Sequence, residues 1–245
     1  GQVDALLKQY DFDALFLVNP NNPSGKLIHG SSFKSVVEYC GDAGKMIVLD
    51  STFRLYAKTL IADYEVLLDG DAKFIAIEDT GKTWPTHDLK VSLMVYSKGP
   101  KRDLEKIFDE IYLCHSRFAL NMFSQLFDLT SQQGIASTIH APITLRHTLL
   151  KDALQGTPLK LAGDRTQAVM PLEWISTREL GPESPSLIAQ SLFARYGVHV
   201  LPGLPFYWSG RFTDVDFIRV SLAKPLDQVA RSVEKLANIR CCGNV

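Results

Sequence analysis

Three residues with different chemistry each stand at or just past the end of a short apolar run. Ala14–Val18 leads into Asn19-Pro20-Asn21-Asn22-Pro23-Ser24-Gly25, Met46–Leu49 ends in Asp50, and Phe74–Ile77 leads into Glu78-Asp79-Thr80-Gly81-Lys82. A strand that stops in an Asn/Pro/Gly-dense turn delivers polar side chains to the carboxyl edge of a sheet, where open α/β sheets bind ligands. Asn22 offers an amide donor, Asp50 a carboxylate and Lys82 a primary amine. An amine at such an edge can add to a carbonyl and afterwards carry a proton. Each residue also has a local reading. Asn22 favours a turn, Asp50-Ser51-Thr52 suits the start of a helix, and Lys82 suits a solvated loop.

In this order and spacing the three residues resemble the fold type I family of pyridoxal 5'-phosphate (PLP) enzymes, the class I/II aminotransferases and their relatives. The N-P-x-x-P-[ST]-G turn, the aspartate ending the next strand and the lysine after the following one carry the resemblance. The 28-residue step from Asn22 to Asp50 holds one helix and one strand. The resemblance implies that Asn22 binds the cofactor's phenolic oxygen and that Asp50 pairs with the pyridine nitrogen, keeping the ring able to accept electrons. It implies that Lys82 is the Schiff-base lysine and proton shuttle.

Near the C-terminus, Phe217-Ile-Arg219-Val-Ser-Leu-Ala is similar to the family's strand whose arginine holds a substrate carboxylate, and Val198–Gly203 precedes it as the small-domain strand and turn. Arg219 also fits an outward salt-bridging role. The implied ligands are PLP and amino and oxo acids.

Departures from the family pattern narrow the branch. Phe53 replaces the tyrosine usual three residues after the aspartate, removing one hydrogen bond to the phenolic oxygen. Asp79 stands where Ser or Thr usually contacts phosphate, and a carboxylate there repels a dianion unless a cation intervenes. Lys90 replaces the phosphate-binding arginine, serving as a point charge without the bidentate fork. Asp79 and Lys90 are also placed to pair with each other. Phe53 with E-D-T-G-K-T-W-P-T and Lys90 is similar to a smaller branch, the arginine oxidases, hydroxylases and capreomycidine-type cyclases of nonribosomal-peptide biosynthesis. The alternatives are therefore an aminotransferase, a member of that branch acting on a cationic amino acid, or an inactive fragment.

The elements that position these residues read as α/β. Residues 14–18, 46–50, 74–78 and 91–96 have the length and bounds of buried strands, and Ser31–Tyr39 has helical spacing behind a serine cap. Pro100 opens one long amphipathic stretch, Lys101–Leu129. From about residue 145 the pattern becomes helix, strand (168–175), helix (186–196), two strands (198–201 and 216–222) and a last helix (226–239). The expectation is a PLP-transferase-like large-domain portion over 1–144 and an α+β small domain over 145–245. The family's segment before the asparagine turn, with its first strands and phosphate loop, has no counterpart here. Two apolar sheet edges are then left to be covered by a second chain, as in a homodimer, or by a complementing N-terminal segment.

Of 245 residues, 46% are hydrophobic, so a large core is available. The net charge of −1 is scattered, which gives no argument for nucleic acid or a membrane surface. Apolar runs stop at four to six residues, and Cys40, Cys114, Cys241 and Cys242 lack metal or disulfide spacing. The expected protein is soluble and cytoplasmic. Six histidines show no metal spacing, His87-Asp88 caps a turn or touches the site, and Trp84 and Phe206-Tyr207-Trp208 pack between domains or line a pocket. Gly81-Lys82-Thr83 matches the end of a P-loop, but Ala76 stands where its first glycine is needed.

Overall fold

The computed structural model describes residues 2–59, 62–84, 86, 89, 91–207 and 215–239. The positions assigned above to His87, Asp88, Lys90 and Trp208 lie outside the described residues. The chain divides into two compact units, the first comprising residues 1–22 and 26–135, the second residues 23–25 and 136–245.

In the first unit, β1 (Ala14–Val18), β2 (Met46–Asp50) and β3 (Lys73–Asp79) run parallel, and β4 (Ser92–Tyr96) closes the four-stranded sheet antiparallel to β3. A parallel pair needs a crossover. Helix α2 (Gly30–Asp42) supplies the first and α3 (Asp63–Asp69) the second, while a short α1 (Gln2–Leu7) precedes β1. Along α2, Phe33, Val36, Val37 and Cys40 fall on one face and meet Ile47, Leu49, Phe74 and Ala76 of the sheet, Leu67 of α3 and Leu7 of α1. Fully burying each large side chain there contributes about 1.5–3 kcal/mol. This core fixes the sheet whose carboxyl edge carries the candidate residues.

The expected long helix from Lys101 is two helices, α4 (Lys101–Ile111) and α5 (Arg117–Gln133). The polar triplet Cys114-His115-Ser116 interrupts the apolar stripe, Leu113 adopts φ 57°, and the Ser116 hydroxyl accepts the Ala119 amide to start the second helix. The rings of Phe108, Tyr112 and His115 gather at the break, Phe108 lying 5.7 Å from Tyr112 and 5.4 Å from His115.

In the second unit an antiparallel sheet has the order β5 (Lys160–Leu161), β6 (Leu172–Ser176), β8 (Phe217–Ser221), β7 (Leu201–Pro202), with α6 (Ala141–Ala153), α7 (Pro185–Tyr196) and α8 (Leu226–Leu236). Three expected spans shorten. The strand expected from Ala168 begins only at Leu172, because Pro171 has no amide for the ladder and the Arg165 guanidinium takes the Met170 and Leu172 carbonyls. The strand expected over 198–201 pairs at Leu201–Pro202, and the last helix stops at Leu236. A triad centred on a buried carboxylate ties this unit together. Glu173, 1% exposed, takes Arg165 Nε at 2.6 Å and His147 Nε2 at 3.2 Å on one carboxylate oxygen. Burial pushes its carboxyl pKa up, but the bond from His147 and the charge and hydrogen bond of Arg165 outweigh that, and the pKa is lowered.

Candidate functional site

The register brings three chain exits to one edge. Val18, Asp50 and Ile77 stand side by side across β1, β2 and β3, so the segments leading to Asn22, Asp50 and Lys82 all leave at the carboxyl end of the sheet. Neighbouring strands are about 4.8 Å apart, which places the three exits within about 10 Å across the edge. The edge thus carries one amide, one carboxylate and one amine on neighbouring chain exits.

Each side chain is held locally. Asp50 closes β2 and accepts the Thr52 amide at 2.9 Å on one oxygen, so the helix-start reading becomes a single Asx turn, with a short 3-10 turn (Arg54–Tyr56) following. Lys82 ends a 3-10 turn (Thr80–Lys82), and its side chain is exposed while its carbonyl accepts the Tyr56 hydroxyl at 2.7 Å. Thr80 lies beneath, bonded to the Val91 carbonyl, so the turn carrying Lys82 is tied on two sides. Asn22 is half-buried at the apex of the loop after β1, where the Asn21 amide reaches the Lys26 carbonyl at 2.8 Å.

The end of that loop explains its glycine. The Asp164 amide donates to the Ser24 carbonyl at 2.9 Å, and Gly25 has φ +74° with the Asp164 carbonyl where a Cβ would sit. Only glycine meets both conditions without strain.

The remaining sequence candidates fall as follows. Phe53 is 5% exposed and tilts against Tyr56 at 6.0 Å, so it packs beneath the turn. Asp79 caps the Thr80–Lys82 turn, accepting the Gly81 amide at 2.9 Å. Trp84 packs within the first unit on Phe123 and Phe127 of α5 and donates Nε1 to Thr130 at 3.0 Å. In the second unit Arg219 lies across from Trp174 and Leu201, half-buried, with its guanidinium 4.8 Å over the Phe206 ring. Burial lowers its pKa, yet an arginine stays charged at any ordinary pH.

Sequence reasoning missed Tyr56, Asn19 and Asp63. Tyr56 is buried, which raises its phenol pKa, and its hydroxyl is spent on Lys82. Its i+3 spacing from Phe53 was the available signal. Asn19 and Asp63 form a buried pair, Nδ2 to Oδ2 at 3.0 Å, between residues 44 apart in sequence. Beside them Glu78, 8% exposed, accepts Tyr64 at 2.9 Å and Arg54 Nε at 3.3 Å on the same oxygen. Burial, then the Glu78 charge, pushes the Tyr64 phenol to about 12. No cluster of three or more metal-ligating side chains occurs among the described residues, and no helix among them is long and apolar enough to cross a membrane.

With its parallel-rich sheet and antiparallel α+β second unit, the chain has the fold of the fold type I aminotransferases. Three of the similar proteins illustrate the likeness. The structure of MppP soaked with the product 2-ketoarginine matches with a TM-score of 0.82 and 27% identity, over 92% of this chain and 62% of that one. YbdL from Escherichia coli, a methionine aminotransferase, matches with a TM-score of 0.81 and 15% identity, over 98% of this chain and 62% of that one. The aromatic aminotransferase ISS1 of Arabidopsis thaliana is 23% identical over 190 residues, 76% of this chain and 46% of that protein. The chain thus spans about three fifths of the solved relatives and under half of the plant one. No protein-family model matches it.

Proposed function

We propose that this chain carries the PLP site of an amino-acid aminotransferase, with Lys82 as the amine that holds the cofactor and moves the proton. The observation that supports it most is the shared edge of β1, β2 and β3, which brings the Asn22, Asp50 and Lys82 segments together on the aminotransferase fold. PLP supplies an electron sink that stabilises negative charge at the substrate's Cα. Asp50, one oxygen held by the Thr52 amide, would offer the other to the pyridine nitrogen. Asn22 would donate to the phenolic oxygen, and Lys82, solvated and on a pinned turn, would accept and return the proton. Phe53 would take the place of the family's tyrosine without its hydroxyl, Lys90 would supply the phosphate cation, and Arg219 would bind the substrate carboxylate.

The oxidase, hydroxylase or cyclase reading stays as a second proposal on one observation. MppP, whose product is 2-ketoarginine, is 27% identical, and the Phe53, Asp79 and Lys90 departures fit that branch. 2-Ketoarginine is the oxo acid left when the α-amino group of arginine is exchanged for oxygen, so both readings put a cationic amino acid among the substrates to try first. One assay separates them. With arginine and PLP, an aminotransferase requires an added oxo acid and consumes no oxygen, an oxidase or hydroxylase requires oxygen and no oxo acid, and a cyclase turns its substrate over with neither. No turnover in any of these conditions, with a panel of amino acids, would refute both readings.

In its working form the protein pairs its apolar edges, with a second copy or a complementing segment. Phe16 on β1 is 48% exposed, and Leu93 and Met94 on β4 are 45% and 49% exposed, the composition expected of strands that are covered when the protein functions. We place the functional protein in the cytoplasm, in keeping with four cysteines that lack disulfide spacing.

A further inference from the structure

The loop that carries Asn22 is closed at its base by one side chain. The Asn19 amide donates Nδ2 to the Ile28 carbonyl at 2.8 Å, and the Ile28 amide donates back to Asn19 Oδ1 at 2.9 Å. The Asn19 backbone amide meanwhile donates to the Asp50 carbonyl at 2.9 Å. One residue therefore joins both ends of the loop to the strand that ends in Asp50. The second hydrogen of Nδ2 goes to Asp63 Oδ2, from the first turn of α3. Asn19 and Asp63 are each 2% exposed.

An asparagine amide can be turned over, exchanging its nitrogen and oxygen, at little change in shape. Here the turned form would put Oδ1 against the Ile28 carbonyl and against a carboxylate, and it would point NH2 at the Ile28 amide. Asp63 is the partner from outside the loop that selects the orientation, because only the NH2 end can face it. The charged groups around Asp63 are Arg54 from the 3-10 turn, His29 before α2 and Glu65 on its own helix.

We propose that Asp63 is a positioning residue for the cofactor site. Its carboxylate fixes the Asn19 amide, which clasps Ile28, and the clasp holds Asn22 where it meets the phenolic oxygen of PLP. The role toward PLP rests on the function proposed above, while the clasp stands on contacts in the chain alone.

The test uses backbone hydrogen exchange of the chain without cofactor, for the wild type, Asp63→Ala and Asp63→Asn. The Ala variant removes the acceptor and the Asn variant keeps an oxygen able to accept from Asn19. The expectation for Asp63→Ala is roughly tenfold faster exchange at Ile28 and Asn21, with α2 and β2 unchanged and Asp63→Asn close to wild type. Unchanged exchange at Ile28 in Asp63→Ala would overturn the proposal. So would acceleration spread equally over α2 and β2, which would make Asp63 a residue of general stability. A PLP titration of the same variants supplies the second readout, with weaker binding in Asp63→Ala restored in Asp63→Asn. Equal affinity in all three overturns the link to the cofactor. A wild type that takes up no PLP overturns the functional reading instead, and the Ile28 exchange then still decides the clasp.

Discussion

Replacing Asn19 by alanine tests the base of the site loop in energetic terms. The substitution deletes three hydrogen bonds, to the Ile28 carbonyl, from the Ile28 amide and to the Asp63 carboxylate. The two bonds with neutral partners contribute about 1 kcal/mol each and the one to the carboxylate about 2, because a buried donor or charge left without its partner keeps its desolvation penalty. Alanine forms no new bond there, so the expected loss is about 3–4 kcal/mol. With a urea dependence of about 2 kcal/mol/M, the unfolding midpoint should fall by about 1.5–2 M. The assay is urea unfolding followed by circular dichroism, with Lys34→Ala as the control. Lys34 makes an exposed pair with Glu38 at 3.7 Å, and such a pair is worth about 0.3–0.5 kcal/mol. If Asn19→Ala fell no further than that control, the clasp would carry no energy. Repeating the substitution in Asp63→Ala, which removes the acceptor, measures the coupling between the two residues.

Other outcomes follow from the same structure. Burial raises the Asp63 pKa to about 6, so the folded chain holds this proton more tightly than the unfolded one. The stability it contributes is complete below about pH 4 and is lost as pH rises through about 6, and unfolding from pH 4 to 8 should lose that slope in Asp63→Asn. Glu173 has the opposite sign, its lowered pKa giving stability that is present at neutral pH and lost as acid protonates it. Glu173→Gln should destabilise by about 3 kcal/mol at pH 7, since Arg165 and His147 lose a buried partner, and a loss below 1 kcal/mol in urea unfolding would refute the triad. Asp50→Ala should depress activity far beyond the effect of losing its turn bond, which is worth about 1 kcal/mol. Full specific activity in a destabilised Asp50→Ala would leave Asp50 a turn residue only.

Much of the first unit could be read from sequence because its signals are local. The runs at 14–18 and 46–50 are strands over those residues, and the Asn/Pro/Gly turn after the first lies at the sheet edge. What escaped depends on partners distant in the chain. Asn19 looked like one more turn residue, and nothing near Asp63 announces that it is buried 44 positions away against it. Glu173 sits in a strand pattern where a charge suggests solvent, and only Arg165 and His147, brought in by folding, make its burial tolerable. The break at Cys114–Ser116 escaped because no glycine or proline marks it and its only local signal is a polar triplet with a serine cap. The Lys82 turn was placed correctly at the end of β3, but its support from Tyr56 depends on a side chain meeting a backbone carbonyl 26 residues on, which periodicity does not reveal.

The measurement that bears most directly on the central claim is the covalent mapping of PLP. The chain is incubated with PLP, reduced with borohydride and digested, and the modified lysine is located by mass spectrometry, beside Lys82→Ala and Asp50→Ala. The account predicts one preferred site, Lys82, whose label falls in Asp50→Ala, and a Lys82→Ala chain that keeps its fold because the Tyr56 bond goes to the backbone of residue 82. Label spread evenly over the surface lysines, or unchanged in amount when Lys82 is replaced, would contradict it.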